Sequence, residues 1–272
     1  MKTTIIYFSP TGTSAGIAAA IARGLGDCME VEMVDVTKTA VGRRRFDSTE
    51  LLIAATPVYG GHTPAIVRER MAAIAGDSTP AVAVAVYGNR AFEKAVTDMA
   101  DFLSERGFIP VGGAAFVGEH SYSTASTPIA AGRPDARDLA DAEAFGRAIA
   151  ASIASGTCSR ADLSALTDEP AAPESVENFL AFVRGYQKSH AENPVRLIPD
   201  HDPKLCGGCG VCVEACPTGA ISTDGFLTDA ARCIKCCACV KSCPDGARTL
   251  NSPFAPVLSA NFSARRSPVW II

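Results

Sequence analysis

The sequence predicts an α/β protein in two parts, a doubly wound parallel sheet followed by a small cysteine-rich α+β domain. Short, continuously apolar runs alternate with helical patterns up to about residue 155. Strands of that kind belong to a parallel sheet covered by helices on both faces. Past residue 199 the alternation stops, and eight cysteines follow in a repeated order.

The first strand is expected at Thr3–Phe8, with a helix at Ser14–Leu25, and the second strand at Glu30–Val36. Leu51–Thr56 is the third strand, followed by a helix at Pro64–Ala75; Ala81–Tyr87 is the fourth, followed by a helix at Ala91–Arg106. A fifth strand at Ile109–Val117 and a closing helix at Ala136–Ile153 complete a domain spanning 1–155. Its ligand belongs at the carboxyl ends of the strands, near the point where strand order reverses. Residues 156–198 read as a connector in which Asp168-Glu-Pro-Ala-Ala-Pro173 breaks structure ahead of a helix. Val176, Phe179, Leu180 and Val183 give that helix one apolar face, which packs on a domain. The cysteine-rich domain covers 199–251. The tail 252–272 lacks periodicity and ends in Val269-Trp270-Ile271-Ile272, which either docks back on the chain or forms a homodimer contact.

The cysteine order is Cys206, Cys209, Cys212, Cys216-Pro217 and, 27 residues on, Cys233, Cys236, Cys239, Cys243-Pro244. This C-x2-C-x2-C-x3-C-P spacing holds 4Fe-4S clusters, with the fourth cysteine of each run ligating the other cluster. Cys206, Cys209, Cys212 and Cys243 are therefore assigned to one cubane, and Cys233, Cys236, Cys239 and Cys216 to the second. Three closely spaced thiolates on a tight loop reach three iron corners, and a distant one closes the fourth; Pro217 and Pro244 turn the chain away. A zinc ribbon wants paired C-x2-C with four ligands per metal, and a disulfide framework wants a secreted chain. The duplicated order fits neither. Residues 199–251 resemble bacterial two-cluster ferredoxins. So small a unit buries little apolar surface, and metal ligation is expected to supply much of its folding free energy.

The first strand runs into Ser9-Pro10-Thr11-Gly12-Thr13-Ser14 and then a helix. Hydroxyls and free N–H groups meet there, the arrangement that binds phosphate at a helix N-terminus. The loop holds no Lys or Arg and lacks G-x4-G-K-[ST], so it is not a P-loop; such turns also serve as ordinary helix caps. Two further loops end strands: Thr56-Pro57-Val58-Tyr59-Gly60-Gly61 and Tyr87-Gly88-Asn89-Arg90. The three together resemble the FMN-binding loops of flavodoxins. That resemblance implies a flavodoxin-like fold over 1–155, with Ser9, Thr11, Gly12, Thr13 and Ser14 on the ribityl phosphate. Thr56–Gly61 and Tyr87–Arg90 would flank the isoalloxazine, Tyr59 would stack on it, and Gly88 would admit close backbone approach. The whole arrangement resembles the flavodoxin/ferredoxin fusions of anaerobic microbes. It departs from short flavodoxins by an insertion from Gly118-Glu-His-Ser-Tyr-Ser123 through Gly132-Arg-Pro-Asp135, expected to cover the flavin or form a partner surface.

Other residues carry weaker signals. Glu119 and His120 are an acid–base candidate whose ordinary reading is a hydrogen-bonding loop pair, and no catalytic residue is assigned. Arg43, Arg44 and Arg45 read as a solvated loop, or else a docking patch for an acidic carrier. Cys237 aligns with Gly210 in the repeat and is expected to be an extra, non-ligand thiol; Cys28 and Cys158 are isolated. His62 lies beside the flavin loop. An odd count of 11 cysteines and the absence of a leader pattern predict a cytoplasmic protein. No run nears the roughly 20 apolar residues of a membrane span. A net charge of -4 argues against nucleic acid, and no G-x-G-x-x-G follows a strand to mark a nicotinamide domain.

These parts predict an electron-transfer protein in which clusters exchange electrons with donor and acceptor proteins or small redox molecules, and FMN interconverts one- and two-electron steps. The alternatives are an FMN-dependent oxidoreductase acting on a small molecule such as a quinone or nitro compound, and a redox-sensing binding module. Cluster type leaves a wide range of potentials open, so the direction of flow is not legible.

Overall fold

The computed structural model describes residues 1–27, 29–156 and 158–272, so the isolated Cys28 lies outside the described residues. Two compact units form. One comprises residues 1–119, 132–169 and 265–272; the other comprises 120–131 and 170–264. The linear boundaries expected from the sequence are thus crossed by two excursions: a 12-residue loop belongs with the cysteine-rich unit, and the last eight residues return to the sheet.

In the first unit, β1 (Lys2–Tyr7), β2 (Glu30–Asp35), β4 (Leu51–Pro57), β6 (Thr79–Tyr87) and β7 (Phe108–Val117) form a parallel sheet in the order β7-β6-β4-β1-β2. Two strands absent from the expectation, β3 (Arg44–Phe46) and β5 (Ile74–Gly76), pair parallel with each other. Arg44 is accordingly no solvated loop residue. It bonds Glu32 at 2.8 Å and the Thr4 hydroxyl at 2.7 Å, and lies 4.5 Å over the Phe46 ring.

The helices are α1 (Thr13–Leu25), α2 (Ala65–Arg70), α3 (Ala95–Ser104) and α4 (Ala136–Ala154). Ile17 and Ile21 of α1 and Phe145 and Ile149 of α4 pack on Ile5, Ile53, Val84 and Phe116 of the sheet, and Cys158 packs against the same core. The two helices cross on glycine: a Cβ on Gly24 would sit 2.1 Å from Glu143 O, and one on Gly146 2.3 Å from Ile21 O. Helix α4 opens on a capping box, Asp135 accepting from Asp138 N–H at 3.1 Å and Asp138 from Asp135 N–H at 2.9 Å.

The C-terminal strand Val269–Ile271 pairs antiparallel with β7, covering what would be a sheet edge. Trp270 lies 5.8 Å from the Phe145 ring and 6.4 Å from Phe116. Of the two fates expected for the apolar tail, the structure shows docking on its own sheet. Arg265 anchors the return, bonding Asp135 at 2.6 and 3.0 Å and Asp138 at 2.9 Å.

The second unit holds α5 (Pro173–Glu192), β8 (Asp200–His201), α6 (Val211–Ala215), α7 (Ala238–Lys241), β9 (Arg248–Thr249) and α8 (Phe254–Asn261). The connector helix packs through a face shifted from the expected one: Phe179 packs on Phe262 at 5.6 Å, Phe182 on Phe254 at 5.2 Å and Tyr186 on Phe254 at 4.9 Å. Val176 and Leu180 remain exposed. No helix among the described residues is long and apolar enough to cross a membrane.

Candidate functional site

At the carboxyl end of β1 the chain enters the Ser9–Ser14 loop, at the sheet's reversal between β1 and β4. Phe8 N–H still bonds Ala55 O at 3.1 Å, whereas Ser9 N–H turns to the Thr37 hydroxyl at 2.8 Å. Thr37 is itself held by Asp35, which accepts its N–H at 2.7 Å. Ser9 Oγ accepts the Ala15 N–H at 2.9 Å, and Gly12 O accepts that of Gly16 at 3.0 Å. The first-turn N–H groups of Thr13 and Ser14 have no intrahelical acceptor, and no acidic residue occupies that turn. Gly12 adopts φ 88° with open space where a Cβ would lie. Ser14 is fully buried, yet its hydroxyl has no hydrogen-bond partner. A buried orphan hydroxyl beside free N–H groups fits an anionic group such as the FMN phosphate.

The second loop ends β4. Thr56 is buried and its hydroxyl bonds Pro57 O at 3.2 Å, while Val58 N–H bonds Val86 O at 3.1 Å. Tyr59 and His62 exchange backbone bonds of 3.0 and 3.2 Å around Gly60 and Gly61, whose φ of 60° and 84° make a type I′ turn. This tight turn holds Tyr59 half-buried at the strand end. His62 points elsewhere, its Nδ1 lying 2.8 Å from Asp98 Oδ2.

The third loop follows β6. Tyr87 is buried and packs edge-on against Phe92 at 5.6 Å; burial pushes its phenol up to about 12, with Arg266 opposing the shift and Asp168 adding to it. Gly88 O accepts the Arg90 N–H at 2.9 Å, Asn89 is buried at φ 67°, and Arg90 pairs with Glu93. Asp168 fastens this loop by accepting the N–H groups of Phe92 at 2.7 Å and Glu93 at 3.0 Å. In the sequence Asp168 opens a structure-breaking Asp-Glu-Pro stretch, a context that does not reveal a bond to residues 75 and 76 positions earlier.

Glu119 and His120 fall in different units. Glu119 closes the neck of the insertion, its Oε2 accepting Gly132 N–H at 2.9 Å. His120 Nδ1 accepts Tyr122 N–H at 3.0 Å, and the two rings meet edge-on at 4.9 Å. Both side chains thus serve loop architecture.

In the second unit the cysteine repeat is also a backbone repeat. Gly210 (φ 76°) caps α6 and Cys237 (φ 60°) caps α7, each in the left-handed region, and each helix ends just before its Cys-Pro pair. Cys216, Cys233, Cys236 and Cys239 line one cavity, joined by Thr228 and Cys237. Cys216 Sγ accepts the Ala220 N–H at 3.2 Å. Burial pushes Cys236 up to about 12 and Cys239 to about 11, each with other cysteines of this set adding to the rise. Thiolates there would need a compensating positive charge, which a bound iron centre would supply. Among the described residues no three His, Cys, Asp or Glu side chains are arranged to hold a single metal ion.

Of the other predicted set, Cys212 is buried, Cys206 and Cys243 are half-buried, and Cys209 is exposed. Gly207 N–H bonds Asp245 Oδ2 at 3.1 Å, tying the first loop to the stretch after Cys243. A cavity of about 730 Å³ opens beside Cys206, with His201, Phe226, Thr228 and Arg248 in its wall. The insertion joins this unit through Lys241, which donates to Ser123 O at 2.8 Å.

A family described as a flavodoxin domain matches residues 4–126, and one described as a 4Fe-4S binding domain matches residues 199–222. Among solved structures, the chain is similar to a flavodoxin from the domain Archaea at 14% identity, covering 57% of this chain and 99% of that one with a TM-score of 0.37. It is also similar to oxidised Flavodoxin 2 from Bacillus cereus, at 19% identity, 56% and 99% coverage and a TM-score of 0.41. A flavone reductase aligns at 13% identity, covering 60% of this chain and 66% of that one, with a TM-score of 0.40. No curated protein sequence matches the chain.

Proposed function

Because the chain carries a flavodoxin domain followed by a 4Fe-4S binding domain, we propose that it transfers electrons between two 4Fe-4S clusters and one FMN. When bound, FMN supplies the interconversion of one- and two-electron steps, and each cluster supplies one-electron steps. The observation that carries this reading is the co-occurrence, in one chain, of a phosphate-fitting loop with an orphan buried hydroxyl and a cavity lined by Cys216, Cys233, Cys236 and Cys239. Covalent linkage raises the effective concentration of one centre at the other.

On this reading Ser9 shapes the phosphate loop while Thr11, Gly12, Thr13 and Ser14 hold the anion with neutral donors. Thr56 to Gly61 and Tyr87 to Arg90 wall the ring site, with Tyr59 stacking on it and Asp168 fixing the third loop. Cys206, Cys209, Cys212 and Cys243 hold one cluster; Cys216, Cys233, Cys236 and Cys239 hold the other. Cys237, at the ligand-free register position, packs beside the second set. The chain acts in the cytoplasm with donor and acceptor proteins or small redox molecules.

An anaerobic reductive titration of the iron-reconstituted, FMN-loaded protein tests the proposal, with flavin and cluster absorbance followed together. A donor that reaches only the clusters should also reduce the flavin, and a cluster oxidant should withdraw those electrons. A flavin that binds and never exchanges electrons with the clusters refutes it.

A further inference from the structure

Arg248 is only 2% exposed, in a two-residue strand of the cysteine-rich unit. Its guanidinium donates to Thr228 Oγ1 at 2.9 Å and to Phe226 O, both neutral acceptors. The Nε atom has no hydrogen-bond partner, and no carboxylate pairs with this side chain among the described residues. Arg133, also buried, shows the usual solution: Asp138 accepts from its Nε at 2.8 Å. A buried guanidinium recovers its desolvation cost from a counter-charge and not from neutral acceptors alone.

Arg248 itself lines the cavity beside Cys206, and its hydrogen-bonded partner reaches a second cavity. Thr228, which Arg248 holds, lines the cavity of Cys216, Cys233, Cys236 and Cys239. A cubane held by four thiolates is net anionic, and it gains a further negative charge on accepting an electron.

Resting on the two-cluster reading above, we propose that Arg248 is the internal counter-ion of the cluster held by Cys216, Cys233, Cys236 and Cys239. Its fixed charge favours the reduced form and raises that cluster's potential relative to the other. Arg248 is thus a tuning residue and not a ligand. The electron it favours comes from an external one-electron donor, and no proton moves.

The test is an EPR-monitored redox titration of the full, iron-reconstituted chain with dithionite as donor, after iron content has been measured. Arg248→Gln should shift one couple by about tenfold or more in its oxidised-to-reduced ratio, about 59 mV downward for one electron, and the other couple by much less. Arg248→Lys, which keeps the charge, should stay near the parent potential. Thr228→Asp, which gives Arg248 a carboxylate partner and leaves it in place, should lower the same couple and serves where Arg248→Gln loses iron. Unchanged potentials in variants that retain both clusters overturn the proposal, as does an equal shift of both couples. Iron for only one cluster in the parent protein refutes the two-cluster reading itself, and the counter-ion assignment falls with it.

Discussion

Ser14 offers the sharpest test of the flavin site, because its hydroxyl is fully buried and without a partner beside the free N–H groups of the first turn of α1. Ser14→Ala removes one oxygen and leaves the fold's other contacts in place. If the hydroxyl donates to the FMN phosphate, its loss removes a hydrogen bond to a charged group, about 1.5–3 kcal/mol. That is about 12- to 150-fold in Kd, at about 1.4 kcal/mol per decade. The ligand-free protein should respond in the opposite sense. An unsatisfied buried polar atom costs about 1–3 kcal/mol, so the variant gains stability without flavin and loses affinity for it. Quenching of flavin fluorescence measures Kd, and riboflavin, which lacks the phosphate, is the internal control. FMN affinity should fall while riboflavin affinity stays near the parent value. Equal loss for both flavins, or unchanged FMN binding, would refute the assignment of Ser14 to the phosphate.

Chelation of iron should unfold the cysteine-rich unit, which is small and draws much of its folding free energy from metal ligation on the proposed reading, and spare the sheet unit. The chain's single tryptophan, Trp270, packs in the sheet unit against Phe116 and Phe145, so its emission should persist while hydrogen exchange of residues 199–251 accelerates; a cooperative loss of both signals would contradict this. Tyr87 carries a pH prediction: its folded pKa is raised by burial to about 12 from 10.0, so its neutral form is favoured in the fold. The associated stability is fully present below pH 10.0 and is lost as pH rises towards about 12. Tyr87→Phe should flatten chemical-denaturation stability across that window, and an unaltered slope would count against the assignment.

The sheet was legible because its strands are long, apolar and separated by helical periodicity. Expected and observed strands differ by one or two residues at their ends, as with Glu30–Val36 against Glu30–Asp35. The three-residue strands β3, β5 and Val269–Ile271 escaped, since so short a run has no period of its own and becomes a strand only when a partner supplies hydrogen bonds. Helix Pro64–Ala75 was expected to be longer than α2, which stops at Arg70 so that Ile74–Gly76 can pair with β3. The three strand-end loops stood out through their Gly, Ser and Thr content. Asp168, which fastens the third of them, did not.

By itself, then, the sequence determined whatever is encoded in spacing: the alternation of strand and helix, the cysteine repeat in which Cys237 aligns with Gly210, and the hydroxyl-rich turn after the first strand. Only the tertiary structure decided which side chains lack partners. Ser14 and Arg248 read as ordinary polar residues in a linear chain, and they become informative once burial removes water and leaves a hydroxyl and a guanidinium nitrogen unsatisfied. The same holds for the loop 120–131 and the tail 265–272, whose unit membership rests on contacts distant in sequence. Spacing is a local property that folding preserves, whereas desolvation depends on everything that surrounds an atom, and that surrounding exists only in the fold.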